Sequence, residues 1–118
     1  MWKQRGITIE GVNLGDASGT VVSLSDDGTV VAIGAEDNRD YDYVAGHVRV
    51  YKWNELSNAW KKKGEDIDGP NQFAGQVQSV SLASDGGSVA IGNPRGRYGK
   101  CRNKSVCGSV TVYTFVEN

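Results

Sequence analysis

Histidine is almost absent from this chain, with His47 the only one. Cysteine and proline are nearly as scarce, at two each. A lone histidine with no serine or cysteine at a recognisable spacing does not form a nucleophile–base pair, so His47 reads as structural. Two cysteines and one distant histidine also fall short of the four ligands that a structural zinc takes. Neither sign of charge prevails, since 13 lysines and arginines face 14 aspartates and glutamates. That balance removes the general attraction of a protein to nucleic acid or to an anionic membrane, and neither is expected as a partner. No apolar run approaches the ~20 residues of a membrane-spanning helix. The opening stretch MWKQRGITIEG has no apolar core of the signal-peptide kind, so a mature chain or a fragment is expected. Helical periodicity is missing throughout. The glycines sit in turns with no helix after them, which excludes a phosphate-cradling loop, and no cofactor is expected.

What the chain does have is glycine, 16 in 118 residues, and a pattern stated twice. At an offset of 58, Trp2 falls on Trp60, Lys3 on Lys61, Gly6 on Gly64 and Gly11 on Gly69. Val22-Ser23-Leu24 falls on Val80-Ser81-Leu82, Gly28 on Gly86, and Ala32-Ile33-Gly34 on Ala90-Ile91-Gly92. Beyond that point the offset becomes 62, which places Gly46 on Gly108, Val48 on Val110 and Val50-Tyr51 on Val112-Tyr113. The second copy therefore carries four extra residues between Gly92 and Gly108. Self-similarity at this period is the signature of solenoids, propellers and arrays. The repeats divide the chain into residues 1–59 and 60–118.

Each repeat reads as short strands. VVSLS and VVAIG are rich in β-branched residues and flank DDGT, a tight turn in which Gly28 takes a positive φ without a Cβ clash. HVRVYKW alternates, with Val48, Val50 and Lys52 on one face and Arg49, Tyr51 and Trp53 on the other, as in a half-buried strand. WKQRGITI and WKKKGEDI start with tryptophan and are otherwise polar, which suits an outer edge where charge discourages stray pairing. The expected fold class is all-β, with two tandem four-stranded antiparallel propeller blades. In that scheme Trp2–Ile9 is the outer strand of a preceding or last blade, and the second blade stops at its third strand, SVTVYTF. Two blades cannot close a ring, because propellers need about four to eight.

GDASGTVVSLSDDGTVVAIGAED, followed by GHVRVYKW and a tryptophan-led strand, resembles the FG-GAP-type propeller repeats. That broad group includes the integrin alpha-chain blades, and this chain is similar to a short-loop variant found in large surface or secreted proteins. The resemblance spans nearly the whole chain, and it implies a propeller. The FG slot reads Ser18-Gly19 in the first repeat and Ala74-Gly75, two positions out of register, in the second. The GAP slot reads Gly34-Ala35-Glu36 and Gly92-Asn93-Pro94. Integrin-like blades carry a calcium loop between their first two strands. Here that connection is only SDDGT or SDGGS, too short to wrap six to eight oxygens around the ion, so the calcium site is not carried over. The same turn lacks the spacing of the Asp-box of sialidase-like propellers.

The repeats differ most in the loop after VVAIG. In the first repeat AEDNRDYDYVAG holds Glu36, Asp37, Asp40 and Asp42. Asp37, Asp40 and Asp42 are candidate ligands for a hard cation, against the plainer reading of a solvated turn-rich loop. In the second repeat NPRGRYGKCRNKSVCG carries Arg95, Arg97, Lys100, Arg102 and Lys104 and no acid. A Cys101–Cys107 disulfide would close seven residues and stabilise the loop by about 2 kcal/mol on a chain-entropy estimate. NKS makes Asn103 an N-glycosylation acceptor. A disulfide and a sequon in one loop agree on an extracellular or lumenal location. The opposed charges of the two loops offer either an intramolecular match or a docking surface for a polar partner.

The function expected is a non-catalytic structural, adhesion or protein-interaction module. Its partners would be a protein, or further blades that pair the open edges. A glycan is the other partner class, through an exposed tryptophan or the sequon. Two other functions stay open: part of a propeller enzyme whose active site lies in other blades, and a small accessory subunit of a large assembly.

Overall fold

The structure, a computed structural model, describes residues 1–11, 18–38, 45–68, 77–93 and 108–117. These residues form eight strands and no helix. The strands are β1 (Ser18–Leu24), β2 (Val30–Asn38), β3 (Ala45–Asn54), β4 (Ala59–Lys62), β5 (Ile67–Asp68), β6 (Ser79–Leu82), β7 (Ser88–Asn93) and β8 (Ser109–Thr114). They build two antiparallel sheets, one ordered β1-β2-β3-β4 with β5 also paired to β3, the other β6-β7-β8. An all-β fold of two antiparallel sheets is thus as the sequence indicates, with β4 and β5 of the second repeat joined to the first sheet. Four strands line up in the first sheet but only three in the second, so the expectation of two four-stranded units holds for the first alone.

The repeated turns form as their residues dictate. Gly28 N–H donates to the Ser25 carbonyl at 3.0 Å, and Gly86 N–H donates to the Ala83 carbonyl at 2.9 Å. Both glycines sit at positive φ, +74° and +73°, where a Cβ is disfavoured. Asp27 Oδ1 accepts from Ser25 Oγ, Thr29 N–H and Thr29 Oγ, at 3.0, 3.0 and 2.7 Å. Those bonds, the Thr29 hydroxyl first, hold the Asp27 carboxyl below its usual range. Its counterpart Asp85 accepts from Gly87 N–H at 2.8 Å. The acid of the repeated turn is occupied with the turn itself.

Strand alternation gives each sheet two faces. One, the valine face, carries Val30, Ala32, Val48 and Val50 in the first sheet, and Ser88, Ala90, Val112 and Val110 at the matching register of the second. The other, the leucine face, carries Val22, Leu24, Val31, Ile33 and Tyr51 in the first, and Val80, Leu82, Val89, Ile91 and Tyr113 in the second. The core is the valine face of the first sheet packed on the leucine face of the second. Val30, Ala32, Val48, Val50, Val77 and Val89 are buried there, with Val80, Leu82, Ile91 and Tyr113 against them. Burying each such side chain contributes about 1.5–3 kcal/mol.

In β3 the valines point into this core, but the opposite face is not the solvated one that alternation suggests. Arg49 and Trp53 are buried there too. Arg49 is covered because Asp66 pairs with it, and Trp53 because Trp60 and the N-terminal residues pack on it. His47 is buried in the same strand. Trp2–Ile9 forms no strand within the chain. The outer edge of its own first sheet is already taken by β4, which the Trp60 segment forms as its sequence indicates.

Candidate interaction surface

The seam between the sheets is bridged by equivalent residues. Asp26 N–H donates to the Ser84 carbonyl at 3.0 Å, which links the two repeated turns at the same position of each. Leu82 N–H donates to Ser23 Oγ at 2.9 Å, so β6 meets β1 at the seam. On the outer side, the chain leaving β4 reaches across to the second sheet. Lys63 Nζ donates to the Gly86 carbonyl at 3.1 Å and lies 5.0 Å from the centre of the Phe115 ring. Gly64, at φ +79°, sits so close that a Cβ there would be 3.1 Å from that ring. An apolar cleft opens along this seam, lined by Val50, Ile67, Leu82, Tyr113 and Phe115 with Lys63 at its rim.

The N-terminal residues make the same clasp on the first sheet. Arg5 Nη1 donates to the Gly28 carbonyl at 3.3 Å, and its guanidinium lies 5.3 Å from the centre of the Trp53 ring. Gly6, at φ +73°, would place a Cβ 2.9 Å from Trp53. Trp60 Nε1 donates to the Arg5 carbonyl at 3.0 Å, and the Trp53 and Trp60 rings meet edge on at 5.3 Å. Arg5, Gly6, Gly28 and Trp53 thus do at the first sheet what Lys63, Gly64, Gly86 and Phe115 do at the second. Neither the clasp cations nor their aromatic partners were singled out as functional from sequence. Their signal was available: Arg5 and Lys63 are 58 apart, and Trp53 and Phe115 are 62 apart, the two offsets of the repeat.

Charge concentrates beside the clasp. Arg49 Nε and Nη2 donate to the two oxygens of Asp66, both at 2.9 Å, and Lys62 pairs with the same carboxylate. The Arg49 bonds are the main reason that the Asp66 carboxyl is lowered to about 2.

Equivalent positions end with opposite exposure. Val48 and Val50 are 0% and 8% exposed under the second sheet, whereas their counterparts Val110 and Val112 are 73% and 64% exposed. On the other face, Val80 and Leu82 pack against the core, whereas Val22 and Leu24 are 62% and 58% exposed. The valine face of the second sheet is thus exposed at Val110 and Val112, and the leucine face of the first is exposed at Val22 and Leu24 of β1, although Ile33, Arg49 and Trp53 on that same face are buried.

The loop candidates fall largely outside the described residues. Glu36 and Asp37 lie on β2, and their side chains are outside the described residues. Asp40 and Asp42 lie outside as well, as do Arg95, Arg97, Lys100, Cys101, Arg102, Asn103, Lys104 and Cys107. Among the described residues, no three of His, Cys, Asp and Glu group as metal ligands, and no helix is long and apolar enough to cross a membrane.

No protein-family model matches the chain, and no curated protein or solved structure matches it either.

Proposed function

We propose that this chain is a non-catalytic segment of a β-propeller of the FG-GAP type, acting as a structural, protein-interaction or adhesion module. One observation carries the reading: two equivalent sheets pack with unlike faces together, leaving Val22 and Leu24 exposed on one unlike face and Val110 and Val112 on the other. Head-to-tail packing of this kind has no built-in end. It continues until a ring closes or a filament grows. Rings of four-stranded sheets stacked around an axis are propellers, and the clasp that closes each seam repeats as a blade connection would. Specificity in such a scaffold sits on its loops, here the acidic loop with Glu36, Asp37, Asp40 and Asp42 and the basic loop with Arg95, Arg97, Lys100, Arg102 and Lys104. The Cys101–Cys107 pair and the sequon at Asn103 favour an extracellular or lumenal setting.

The test is size-exclusion chromatography with light scattering at high micromolar concentration, followed by thermal unfolding. Association is expected. A well-folded monomer with one sharp transition refutes the propeller-segment reading.

A further inference from the structure

We propose that the exposed apolar residues of the two sheets are made for each other: a second copy of this chain docks Val22 and Leu24 of its leucine face, with its N-terminal residues, onto the valine face and β8 edge of the first. This rests on the reading above and names the partner. The template is the seam inside the chain, and the repeat offsets give the register. Inside the chain Trp53 pairs with Trp60, Lys52 with Lys61 and Tyr51 with Lys62. The equivalent pairs across the junction are Phe115 with Trp2, Thr114 with Lys3 and Tyr113 with Gln4 of the second copy. Trp2 is fully exposed, so none of the described residues covers it. Arg5 is clasped on its own sheet, so Met1–Gln4 stand before that clasp as Ala59–Lys62 stand before the Lys63 clasp, with the Gln4 side chain donating to the Gly6 carbonyl and Thr8 Oγ1.

Three further matches hold. Val48 pairs with Ile67 inside the chain, so Val110 meets Ile9 of the second copy. Val22 and Leu24 of that copy cover Val110 and Val112, as Val80 and Leu82 cover Val48 and Val50. The charge pattern changes in step on the two sides. Arg49 and Asp66 form an ion pair on the face of β3 turned away from the core, and their counterparts across the junction are Thr111 and Thr8. Both charges of that pair are replaced together by hydroxyls, so neither is left without its partner; Glu10, the counterpart of Asp68, falls opposite Ser109. The facing lysines of the internal seam, Lys52 and Lys61, become Thr114 and Lys3, which removes a like-charge pair.

The experiment uses two variants whose substitutions lie on surfaces exposed in the single chain. Val110→Lys with Val112→Lys spoils the valine face, and Val22→Lys with Leu24→Lys spoils the leucine face. Circular dichroism and melting first establish that both fold as the parent does. In sedimentation velocity the unaltered chain is expected to associate and each variant alone to be a monomer. An equimolar mixture is expected to form a 1:1 complex, because each variant keeps the face that the other lacks. Association of the unaltered chain that either variant leaves unchanged, or a mixture that remains monomeric, overturns head-to-tail docking and leaves the module reading standing. A well-folded monomeric parent overturns both.

Discussion

The two turn glycines offer a comparison in which most variables cancel. Gly28 and Gly86 occupy the same place in their repeats, with φ of +74° and +73°. Alanine in the left-handed region costs about 1–2 kcal/mol at either position. The surroundings differ. Nothing lies within 4 Å of a Cβ at position 28, whereas one at position 86 would stand 2.6 Å from Val30 Cγ2 and 2.7 Å from Val30 Cβ. Gly86→Ala must therefore push the second sheet off the first, an overpacking cost of about 1–3 kcal/mol beyond the backbone term. Urea titrations of Gly28→Ala and Gly86→Ala, made in the Val110→Lys, Val112→Lys background so that association does not contribute, should differ by that amount. Val30→Ala should then rescue part of Gly86→Ala, giving a coupling energy of about 1 kcal/mol or more in the double-mutant cycle. If the two glycine variants lose the same stability and Val30→Ala shows no coupling, the second turn does not rest on Val30 and the described seam is wrong. The same pair bears on association. Across the proposed junction Gly28 faces Ser88, the counterpart of Val30, so Gly28→Ala in the otherwise unaltered chain should weaken association measured by sedimentation.

Other predictions follow from single contacts. Asp66, lowered to about 2 from an ordinary 3.8, favours the folded state when ionised. Its contribution is complete above the unfolded value and is lost as pH falls from about 3.8 towards 2. It amounts to about 1–2 kcal/mol after allowance for its partial exposure. Asp66→Asn should flatten the pH dependence of urea midpoints in that window, and an unchanged curve would count against the Arg49 fork. Lys63→Ala removes a carbonyl hydrogen bond and a ring contact and should cost about 1 kcal/mol in thermal melts, more than Arg5→Ala, whose cation is more exposed. Intact-mass measurement with and without reductant is expected to show a two-hydrogen gain on reduction for Cys101–Cys107, and secretory expression is expected to add a glycan at Asn103. A reduced, unmodified chain from secretory cells would contradict the lumenal assignment.

Much of the fold was legible because its signals are local. Alternation in VVSLS, VVAIG and HVRVYKW, the turn chemistry of SDDGT, and the tryptophan-led polar strand each depend on residues close in the chain. Internal comparison of the repeats extended those signals to the order β1-β2-β3-β4. The clasp was less legible, because Arg5 and Lys63 look like ordinary surface cations until Trp53 and Phe115 are brought beside them. Arg49 looked solvent-facing by alternation, yet Asp66, seventeen residues on, covers and neutralises it.

The sequence by itself determined that the chain is a duplicated set of short antiparallel strands joined by glycine turns. Sterics and side-chain alternation act within a few residues and need no knowledge of neighbours. Only the tertiary structure decided which copy of each valine is covered. Val48 and Val110 share their strand position and local sequence pattern, yet one is sealed under a sheet and the other faces open water. Burial depends on what packs from outside the segment, and a repeat that stacks in one direction always leaves its last face bare.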